Sequence, residues 1–256
     1  MKAKKSLGQN FLIDNNIKKK IGASIPAKKN DLIIEIGPGQ GALTKELKMK
    51  NCQIICYEID EDMRPILAPL ENDLVKVNYI DILEAKIKKD IENIEYNNLY
   101  VVGNLPYYIT TKIIKKLINE DLNAEQMIFM VQEEVADRFT ALPNTKDYGS
   151  ITLYFKYFFN LEKLFRVSKH CFNPVPKVES AIIAFRKRVD ILDVDKDKYF
   201  KLITDSFKMK RKTLKNNLSN YDFSKILPIL NKYGLTERVR AEEIPEEVFA
   251  EISKVI

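Results

Sequence analysis

Histidine is almost absent from this sequence, because its 256 residues include only His170. A metal site built on histidines needs several imidazoles, so that class of site is excluded. We also expect no histidine-based catalytic triad. His170 could still act as a general base, but this is the less favoured interpretation of a lone histidine. The sequence therefore favours a reaction that does not depend on histidine chemistry.

Cysteine is nearly as scarce, with three residues in the chain. Cys52 and Cys56 lie in CQIIC, and a C-x3-C spacing without a second cysteine pair is poorly suited to zinc. We expect both thiols to be core residues of a reduced, cytoplasmic protein.

Long apolar runs are missing as well. No stretch approaches the 18 or so consecutive apolar residues of a membrane-spanning helix. The N-terminal segment MKAKKSLGQNFLID has lysines but lacks the apolar run of a secretory signal. We expect a cytoplasmic protein with no membrane partner.

Positive charge is modest in total but uneven in distribution. The chain has 42 basic and 36 acidic residues, which gives a formal net charge of +6. Residues 1–30 carry eight lysines against Asp14 alone, and KMKRKTLK (Lys208–Lys215) holds five basic residues and no acid. Such clusters are typical of surfaces that bind phosphate backbones. A solubilising surface is the alternative for either cluster.

Apolar runs alternate with segments of helical composition through the first half of the chain. This alternation predicts βαβ units, a parallel sheet and right-handed crossovers. The predicted strands are residues 31–36, 53–57, 74–78, 99–102 and 127–131, and the predicted helices are 42–49, 61–70, 111–119 and 133–139. Two later runs, Ile151–Phe159 and Ser180–Lys187, lack a full helix between them and predict a terminal strand pair with one antiparallel member.

The composition changes from Asp190 onward. An acidic connector, DILDVDKDKYF, leads into amphipathic helical segments. Those segments are residues 198–210, 212–218, 224–232 and 246–255. We therefore predict an α/β, Rossmann-like domain over residues 1–188 and a small all-α domain over residues 189–256.

A glycine-rich loop follows the first predicted strand. Gly37, Gly39 and Gly41 form a G-x-G-x-G pattern that opens a predicted helix. The dinucleotide fingerprint places its third glycine one position later, where this chain has Ala42. Alanine is tolerated there, so the spacing alone leaves dinucleotide and nucleoside ligands open.

Acidic residues at the predicted strand ends favour one of these ligands. Glu58 ends the second strand, where a carboxylate can accept both ribose hydroxyls, and Asp81 follows the third, where an acid can take an adenine amino group. Glu35 precedes the glycine loop, within reach of an amino-acid ammonium. S-adenosylmethionine has all three groups and no phosphate, whereas NAD would bring phosphates close to these acids. The pattern therefore favours S-adenosylmethionine.

Five motifs in this order resemble those of the ribosomal RNA adenine N6,N6-dimethyltransferases. They are LGQNFL (Leu7–Leu12), EIGPGQGALT (Glu35–Thr44), YEID (Tyr57–Asp60), NLPY (Asn104–Tyr107) and FNPVPKVESA (Phe172–Ala181). The resemblance is nearest to the small-subunit, KsgA-type branch and continues at SFKMKRKTLKNNL and RAEEIP in the C-terminal part.

The resemblance implies a Rossmann-like, S-adenosylmethionine-dependent methyltransferase sheet with a terminal antiparallel strand. It implies transfer of two methyl groups to N6 of each of two adjacent adenosines in a hairpin near the 3′ end of small-subunit rRNA. The cofactor contacts that it implies are Asn10, Leu12, Gly37, Glu58, Asp81 and Asn104.

The NLPY motif is the predicted catalytic element. An adenine N6 lone pair is delocalised into the ring, so orientation matters more than a strong base. We predict that the Asn104 side-chain carbonyl and the Leu105 backbone carbonyl accept the two N6 protons, while Pro106 fixes the backbone. Tyr107 is predicted to stack on the target adenine and Phe172 to close its other face. A core position is the alternative for either ring.

Basic residues at both ends of the chain are the predicted RNA contacts. They are Lys4, Lys5, Lys208, Lys210, Arg211, Lys212 and Lys215. The predicted partner is small-subunit rRNA within a pre-ribosomal particle, and the predicted oligomeric state is a monomer.

Two other functions remain open on the sequence. An Erm-type enzyme, which methylates large-subunit rRNA and confers macrolide resistance, shares the motifs but more often reads NIPY. A non-catalytic RNA-binding factor on the same fold is the second alternative. Common relatives read NLPYNIST followed by proline, whereas this chain has Tyr108, Thr110 and Lys112 at the corresponding places. These changes leave Asn104–Tyr107 intact but alter the rim of the pocket. Tyr108 has no assigned role.

Overall fold

The computed structural model describes residues 3–4 and 7–256. The chain forms two compact units, one of residues 1–136 with 162–187 and the other of residues 137–161 with 188–256. The domain boundary predicted after residue 188 stays a prediction, and the second unit also takes in residues 137–161. Lys5 lies outside the described residues.

The central sheet has the strand order β4-β3-β2-β5-β6-β9-β7. Strands β2 to β6 run parallel to one another, and β9 runs antiparallel to β6. The strands are β1 (Phe11–Leu12), β2 (Leu32–Ile36), β3 (Gln53–Glu58), β4 (Val75–Tyr79), β5 (Leu99–Asn104), β6 (Gln126–Gln132), β7 (Phe159–Val167), β8 (Phe172–Asn173) and β9 (Ser180–Lys187). The predicted Rossmann-like, mostly parallel sheet is therefore confirmed, and its antiparallel strand β9 lies next to the edge strand β7.

Burial explains why the central strands are continuous apolar runs. Every residue of β2 is buried, as a strand covered on both faces requires. The register of β2 on β5 sets Ile36 opposite Gly103, so both strands end at the same edge of the sheet. Loops that follow β2, β3 and β5 therefore share one side of this unit.

Helices alternate with the strands of the sheet along the chain, and further helices form the core of the second unit. They are α1 (Asn15–Ser24), α2 (Ala42–Lys48), α3 (Arg64–Leu67), α4 (Ile87–Asp90), α5 (Thr110–Asn119), α6 (Glu133–Thr140), α7 (Ser150–Phe158), α8 (Lys196–Ser206), α9 (Leu214–Asn217), α10 (Phe223–Lys232) and α11 (Glu246–Ser253). Within the described residues, no helix is long and apolar enough to cross a membrane.

The strand predicted at Ile151–Phe159 is wrong, because this run forms helix α7. Aromatic composition suits a strand, but here the rings pack on one another within the second unit. Tyr157 lies 5.6 Å from Tyr199 and Tyr154 lies 4.8 Å from Phe200 between ring centroids. Tertiary packing thus overrides β propensity, and the strand that joins the sheet is β7.

The single helix predicted over residues 61–70 is also wrong in form. The segment is a 3₁₀ turn (Glu61–Met63), the short helix α3 and a second 3₁₀ turn (Ala68–Leu70). Pro65 and Pro69 each lack an amide donor, so a continuous helical hydrogen-bond ladder cannot form through them.

A Gly103→Ala substitution tests the close approach of β5 to β2. A Cβ atom at Gly103 would lie 2.7 Å from the Ile36 carbonyl oxygen, which is too close for any unstrained contact. Since backbone atoms must move, we expect a loss of about 1–3 kcal/mol in the free energy of unfolding, measured by denaturant titration.

Gly149→Ala is the matched control for that substitution. Gly149 has an extended backbone, and no heavy atom lies within 4 Å of a Cβ built there. Its free energy of unfolding should stay within about 0.5 kcal/mol of the native value. An equally small change for Gly103→Ala would contradict the tight strand spacing.

Candidate active site

A cavity opens at the carboxyl ends of β2, β3 and β5. It holds about 990 Å³ of empty space, including the part open to solvent. In open α/β sheets, ligands bind at this edge, so the cavity is where the fold predicts a site.

The glycine loop after β2 forms one wall of the cavity. Gly37 lines it with a φ of 66°, a conformation that few other residues adopt without strain. A Cβ at Gly39 would come 3.1 Å from Phe11 Cε1, so the absence of a side chain lets the phenyl ring approach. The loop therefore exposes backbone rather than side chains to a ligand.

Glu58 lies at the end of β3 with both carboxylate oxygens held by the backbone. One oxygen accepts the Gly39 N–H and the other the Asp60 N–H, each at 2.9 Å. Burial raises the pKa of this carboxyl, and the two N–H donors oppose that rise. The geometry fixes an acceptor at the cavity wall, as the predicted ribose contact requires.

Glu35 is a second buried acid on the cavity wall. Its side chain is 2% exposed, and the thiol of Cys56 lies 3.6 Å from its Oε2. Burial raises the pKa of the Glu35 carboxyl to about 7. Nearby Glu58 adds to this rise through charge repulsion. A cationic group entering the cavity would relieve both effects.

Asn104 ends β5 and bonds to the N-terminal segment. Its side-chain Nδ2 donates to the Asn10 carbonyl at 2.9 Å. Because Nδ2 donates there, the amide orientation is fixed and Oδ1 is the side-chain acceptor that remains for another partner. In the described part of the chain, no donor reaches this Oδ1.

Leu105 and Pro106 continue from Asn104 along the cavity wall. The Leu105 N–H donates to the Met130 carbonyl at 3.2 Å, and the Pro106 carbonyl accepts the Ile109 N–H at 3.2 Å. Among the described residues, the Leu105 carbonyl receives no hydrogen bond. Neither Asn104 Oδ1 nor the Leu105 carbonyl oxygen is thus committed to a hydrogen bond with a described residue, and both residues line the cavity, although Leu105 is only 1% exposed.

Tyr107 lines the cavity and is half-buried. Its hydroxyl lies 2.6 Å from the Ser180 hydroxyl. Burial raises the pKa of the Tyr107 phenol. The hydrogen bond anchors the far end of the ring, which leaves part of the ring surface available at the cavity.

The structure brings some predicted site residues to the cavity and leaves others away from it. Asn10 and Leu12 line it, whereas Asp81 and Phe172 do not. The Asp81 carboxylate accepts the Leu83 N–H at 2.9 Å, in the turn after β4. Its contact with a ligand stays a prediction.

Phe172 is a core residue in this structure. Its side chain is 1% exposed, and it pairs with Leu12 in the small antiparallel sheet of β1 and β8. A ring so buried cannot present a face to a base without moving. The prediction that Phe172 closes over an adenine is therefore not supported by this geometry.

Lys4 also departs from its predicted role as a phosphate contact. Its ammonium lies 2.6 Å from Asp60 Oδ1 and 2.5 Å from Asp62 Oδ2. Two carboxylates neutralise this lysine, so the structure does not support a free positive charge at Lys4 that would bind RNA phosphates. The pairing raises the pKa of the Lys4 ammonium.

The C-terminal basic cluster lies on the surface of the second unit. Lys208 pairs with Asp205 at 2.7 Å, and Lys215 pairs with Glu237 at 2.8 Å. Lys210 donates to the Lys146 carbonyl at 2.9 Å. Arg211 and Lys212 are exposed, and in the described residues neither has an acidic partner. Their contact with RNA stays a prediction.

Sequence reasoning missed two kinds of residue at this site. Ile59 lines the cavity with 48% of its surface exposed, directly after Glu58. An isoleucine behind a strand-end acid is a signal for an apolar ligand surface. The second kind is a pair of residues that lie far apart in the sequence. Gln9 Nε2 donates to the Asp60 carboxylate at 2.6 Å, and no sequence spacing could have predicted this contact.

Comparison with known proteins gives close relatives along nearly the whole chain. Residues 1–256 match the family model described as "Ribosomal RNA adenine dimethylase". The chain is 40% identical to "Ribosomal RNA small subunit methyltransferase A" of Oceanobacillus iheyensis, over 98% of this chain and 89% of that one. It is 37% identical to the protein of the same name from Clostridioides difficile, over 100% and 91%.

Two solved structures share the fold over most of their length. A dimethyladenosine transferase from Plasmodium falciparum has a TM-score of 0.79 at 24% identity, covering 94% of this chain and 95% of that one. The 23S rRNA methyltransferase ErmE has a TM-score of 0.75 at 25% identity, covering 96% and 98%.

A Glu35→Gln substitution tests the buried charge on the cavity wall. The carboxyl titrates near 4.5 when unperturbed and near 7 in the fold. Between about pH 4.5 and pH 7, Glu35 holds a proton in the folded protein that it has lost in the unfolded chain. The free energy of unfolding therefore falls as pH rises through this window and is constant above it. At pH 8 the variant should be more stable by about 3 kcal/mol, measured by denaturant titration.

The same comparison at pH 5 is the control. There the carboxyl is mostly neutral in the fold, so the difference should shrink to below about 1 kcal/mol. A difference of equal size at both pH values would mean that glutamine packs better for reasons unrelated to charge.

Proposed function

The chain belongs to the ribosomal RNA adenine dimethylase family, and we propose that it dimethylates N6 of two adjacent adenosines in the 3′-terminal hairpin of 16S rRNA. The methyl donor is S-adenosylmethionine, and the reaction belongs to ribosome biogenesis. Relatives at 36–40% identity that carry the name "Ribosomal RNA small subunit methyltransferase A" support the choice of subunit. The observation that carries the chemistry is that, in the described residues, neither Asn104 Oδ1 nor the Leu105 carbonyl oxygen accepts a hydrogen bond, while both residues line the cavity.

The donor set of the cavity fits S-adenosylmethionine. Glu58 offers a fixed carboxylate for the ribose hydroxyls, and Glu35 offers a buried acid for the cationic amino-acid end. Gly37 has no side chain to block close approach to the backbone, and Ile59 offers an apolar surface for the adenine. When bound, the cofactor supplies an electrophilic methyl group on a sulfonium centre.

The role of Asn104 and Leu105 is to orient the target amine. The N6 lone pair of adenine is conjugated with the ring and is a weak nucleophile. The Asn104 Oδ1 and the Leu105 carbonyl accept the two N6 protons, which directs the lone pair at the methyl carbon. Orientation of this kind contributes up to about 7–11 kcal/mol in favourable intramolecular cases.

An amide suits a reaction that is repeated on the same nitrogen. Each methyl transfer would release a neutral thioether and one N6 proton, which water would accept, so N6 would keep one hydrogen-bond donor fewer for the enzyme. A buried carboxylate left without its donor would be costly. A neutral Asn104 carbonyl tolerates that loss better, which is consistent with dimethylation.

Tyr107 holds the target adenine by stacking. Its hydroxyl is fixed by Ser180 at 2.6 Å. A base stacked on an aromatic ring gains about 1–3 kcal/mol, which offsets much of the cost of removing that base from its neighbours.

The RNA partner is small-subunit rRNA in a pre-ribosomal particle, bound by a cytoplasmic monomer. Arg211 and Lys212 are exposed cations of the second unit that would contact phosphates. Phosphate contacts would supply affinity, while the bases that enter the cavity supply the site of reaction.

Methylation of large-subunit rRNA is the second candidate function. The similarity to the 23S rRNA methyltransferase ErmE, at 25% identity, favours it. Relatives with the small-subunit name are more similar, at 36–40% identity. A non-catalytic RNA-binding role is less favoured, because both acids of the cavity and the NLPY motif are present.

Methyl transfer to isolated ribosomal subunits distinguishes these functions. Small and large subunits that lack the modification are incubated with the protein and labelled S-adenosylmethionine, and the modified nucleotides are mapped by mass spectrometry. We expect dimethyladenosine in the 3′-terminal hairpin of 16S rRNA. Label confined to large-subunit rRNA would support the second candidate, and absence of both cofactor binding and label would support the non-catalytic role.

The Asn104→Ala variant in the same assay tests the orienting amide. Loss of the Oδ1 acceptor should reduce methyl transfer by at least about a hundredfold (roughly 2.7 kcal/mol) while RNA affinity stays nearly unchanged. Arg211→Ala is the opposite control, with weakened RNA binding and an intact catalytic amide. Equal loss of binding and transfer in Asn104→Ala would mean that this residue is structural.

A further inference from the structure

The N-terminal segment is attached to both sides of the cavity. We use the name strap for Lys4 together with residues 7–12. At one end Lys4 and Gln9 contact the Asp60 carboxylate, each at 2.6 Å. At the other end β1 pairs with β8. Between them the Asn10 carbonyl accepts the Asn104 amide. The strap therefore contacts residues on the predicted cofactor side and on the predicted substrate side.

On the cofactor side, the strap acts close to Glu58. Asp60 is 2% exposed, so its carboxylate depends on nearby partners for compensation. Lys4 and Gln9 engage both of its oxygens, while the Asp60 backbone N–H donates to Glu58 Oε1. Gln9 is itself held at both ends, since its Oε1 accepts the Lys4 N–H at 2.8 Å. Loss of the Lys4 charge would therefore loosen Asp60, whose backbone N–H helps to hold the Glu58 carboxylate.

On the substrate side, the strap fixes the orientation of Asn104. The Asn10 carbonyl is the acceptor that engages Nδ2 and leaves Oδ1 available. Gly8 passes over the NLPYY segment, where a Cβ would lie 3.3 Å from Tyr108 Cε1 and 3.7 Å from Pro106 Cβ. This contact gives Tyr108, which is 62% exposed, a role as a support for the strap.

We propose that Lys4 and Gln9 are positioning residues that hold the strap through Asp60, and that the strap couples cofactor binding to the orientation of the Asn104 amide. This inference rests on the proposed methyl-transfer function. Neither residue contacts the reacting atoms. Lys4 would act through Asp60 on Glu58, and through Asn10 on Asn104.

The test compares Lys4→Met with Lys4→Arg in the full chain. Methionine keeps most of the side-chain length and removes the charge, whereas arginine keeps the charge. Lys29→Met is the matched control, because Lys29 is an exposed lysine outside the strap. For each protein, S-adenosylmethionine affinity is measured by calorimetry without RNA, and kcat and KM for methyl transfer are measured with saturating cofactor.

We expect Lys4→Met to weaken cofactor binding by about tenfold and to lower kcat several-fold, with the KM for RNA unchanged. Lys4→Arg should restore both quantities, and Lys29→Met should change neither. Gln9→Ala should weaken cofactor binding in the same direction. Native cofactor affinity in Lys4→Met would overturn the proposal. A raised KM for RNA at unchanged cofactor affinity would also overturn it, since Lys4 would then be an RNA contact.

Hydrogen exchange separates this inference from the proposed function. In the cofactor-free protein, amides of residues 7–12 should exchange faster in Lys4→Met than in the native chain or in Lys29→Met. Unchanged exchange would overturn the role of Lys4, whatever the protein methylates. Faster exchange in a protein that binds no S-adenosylmethionine would instead leave the strap in place and contradict the proposed function.

Discussion

The hydrogen bond from Asn104 Nδ2 to the Asn10 carbonyl is the interaction on which the candidate site depends. An amide can present either its nitrogen or its oxygen, and this 2.9 Å bond decides which one remains available. It also joins the end of a central strand to a segment 94 residues earlier in the chain. Strand β5 places Asn104, and the N-terminal segment orients it, so neither element alone forms the site.

The single histidine, His170, is not among the residues that line the cavity, and the cavity has a different character. Two acids lie in its wall, and burial raises the pKa of both carboxyls. Two buried carboxylates destabilise the folded protein until a cation enters the cavity. A cofactor with a sulfonium and an ammonium group would provide that positive charge. With so reactive a methyl donor, the remaining task is to aim a weak nucleophile. We propose that two carbonyl oxygens and one aromatic ring perform that task.

Much of the site could be predicted from the sequence because parallel strands end at one edge of a sheet. The positions of Gly37, Glu58 and Asn104 followed from this rule and from their motifs. Contacts between distant segments could not be predicted in the same way. Lys4 looked like a phosphate contact in a lysine-rich terminus, yet it pairs with Asp60 and Asp62. Phe172 stood in a family motif, but the structure buries its ring in the core.

The central claim is that Asn104 and Leu105 accept the two protons of the target N6. A crystal structure of the protein with S-adenosylhomocysteine and an RNA hairpin containing unmethylated target adenosines tests it most directly. We predict that N6 lies within about 3.2 Å of both Asn104 Oδ1 and the Leu105 carbonyl oxygen, with the Asn104 Nδ2 still bonded to the Asn10 carbonyl. An N6 that contacts neither oxygen, or that faces Nδ2, would contradict the account.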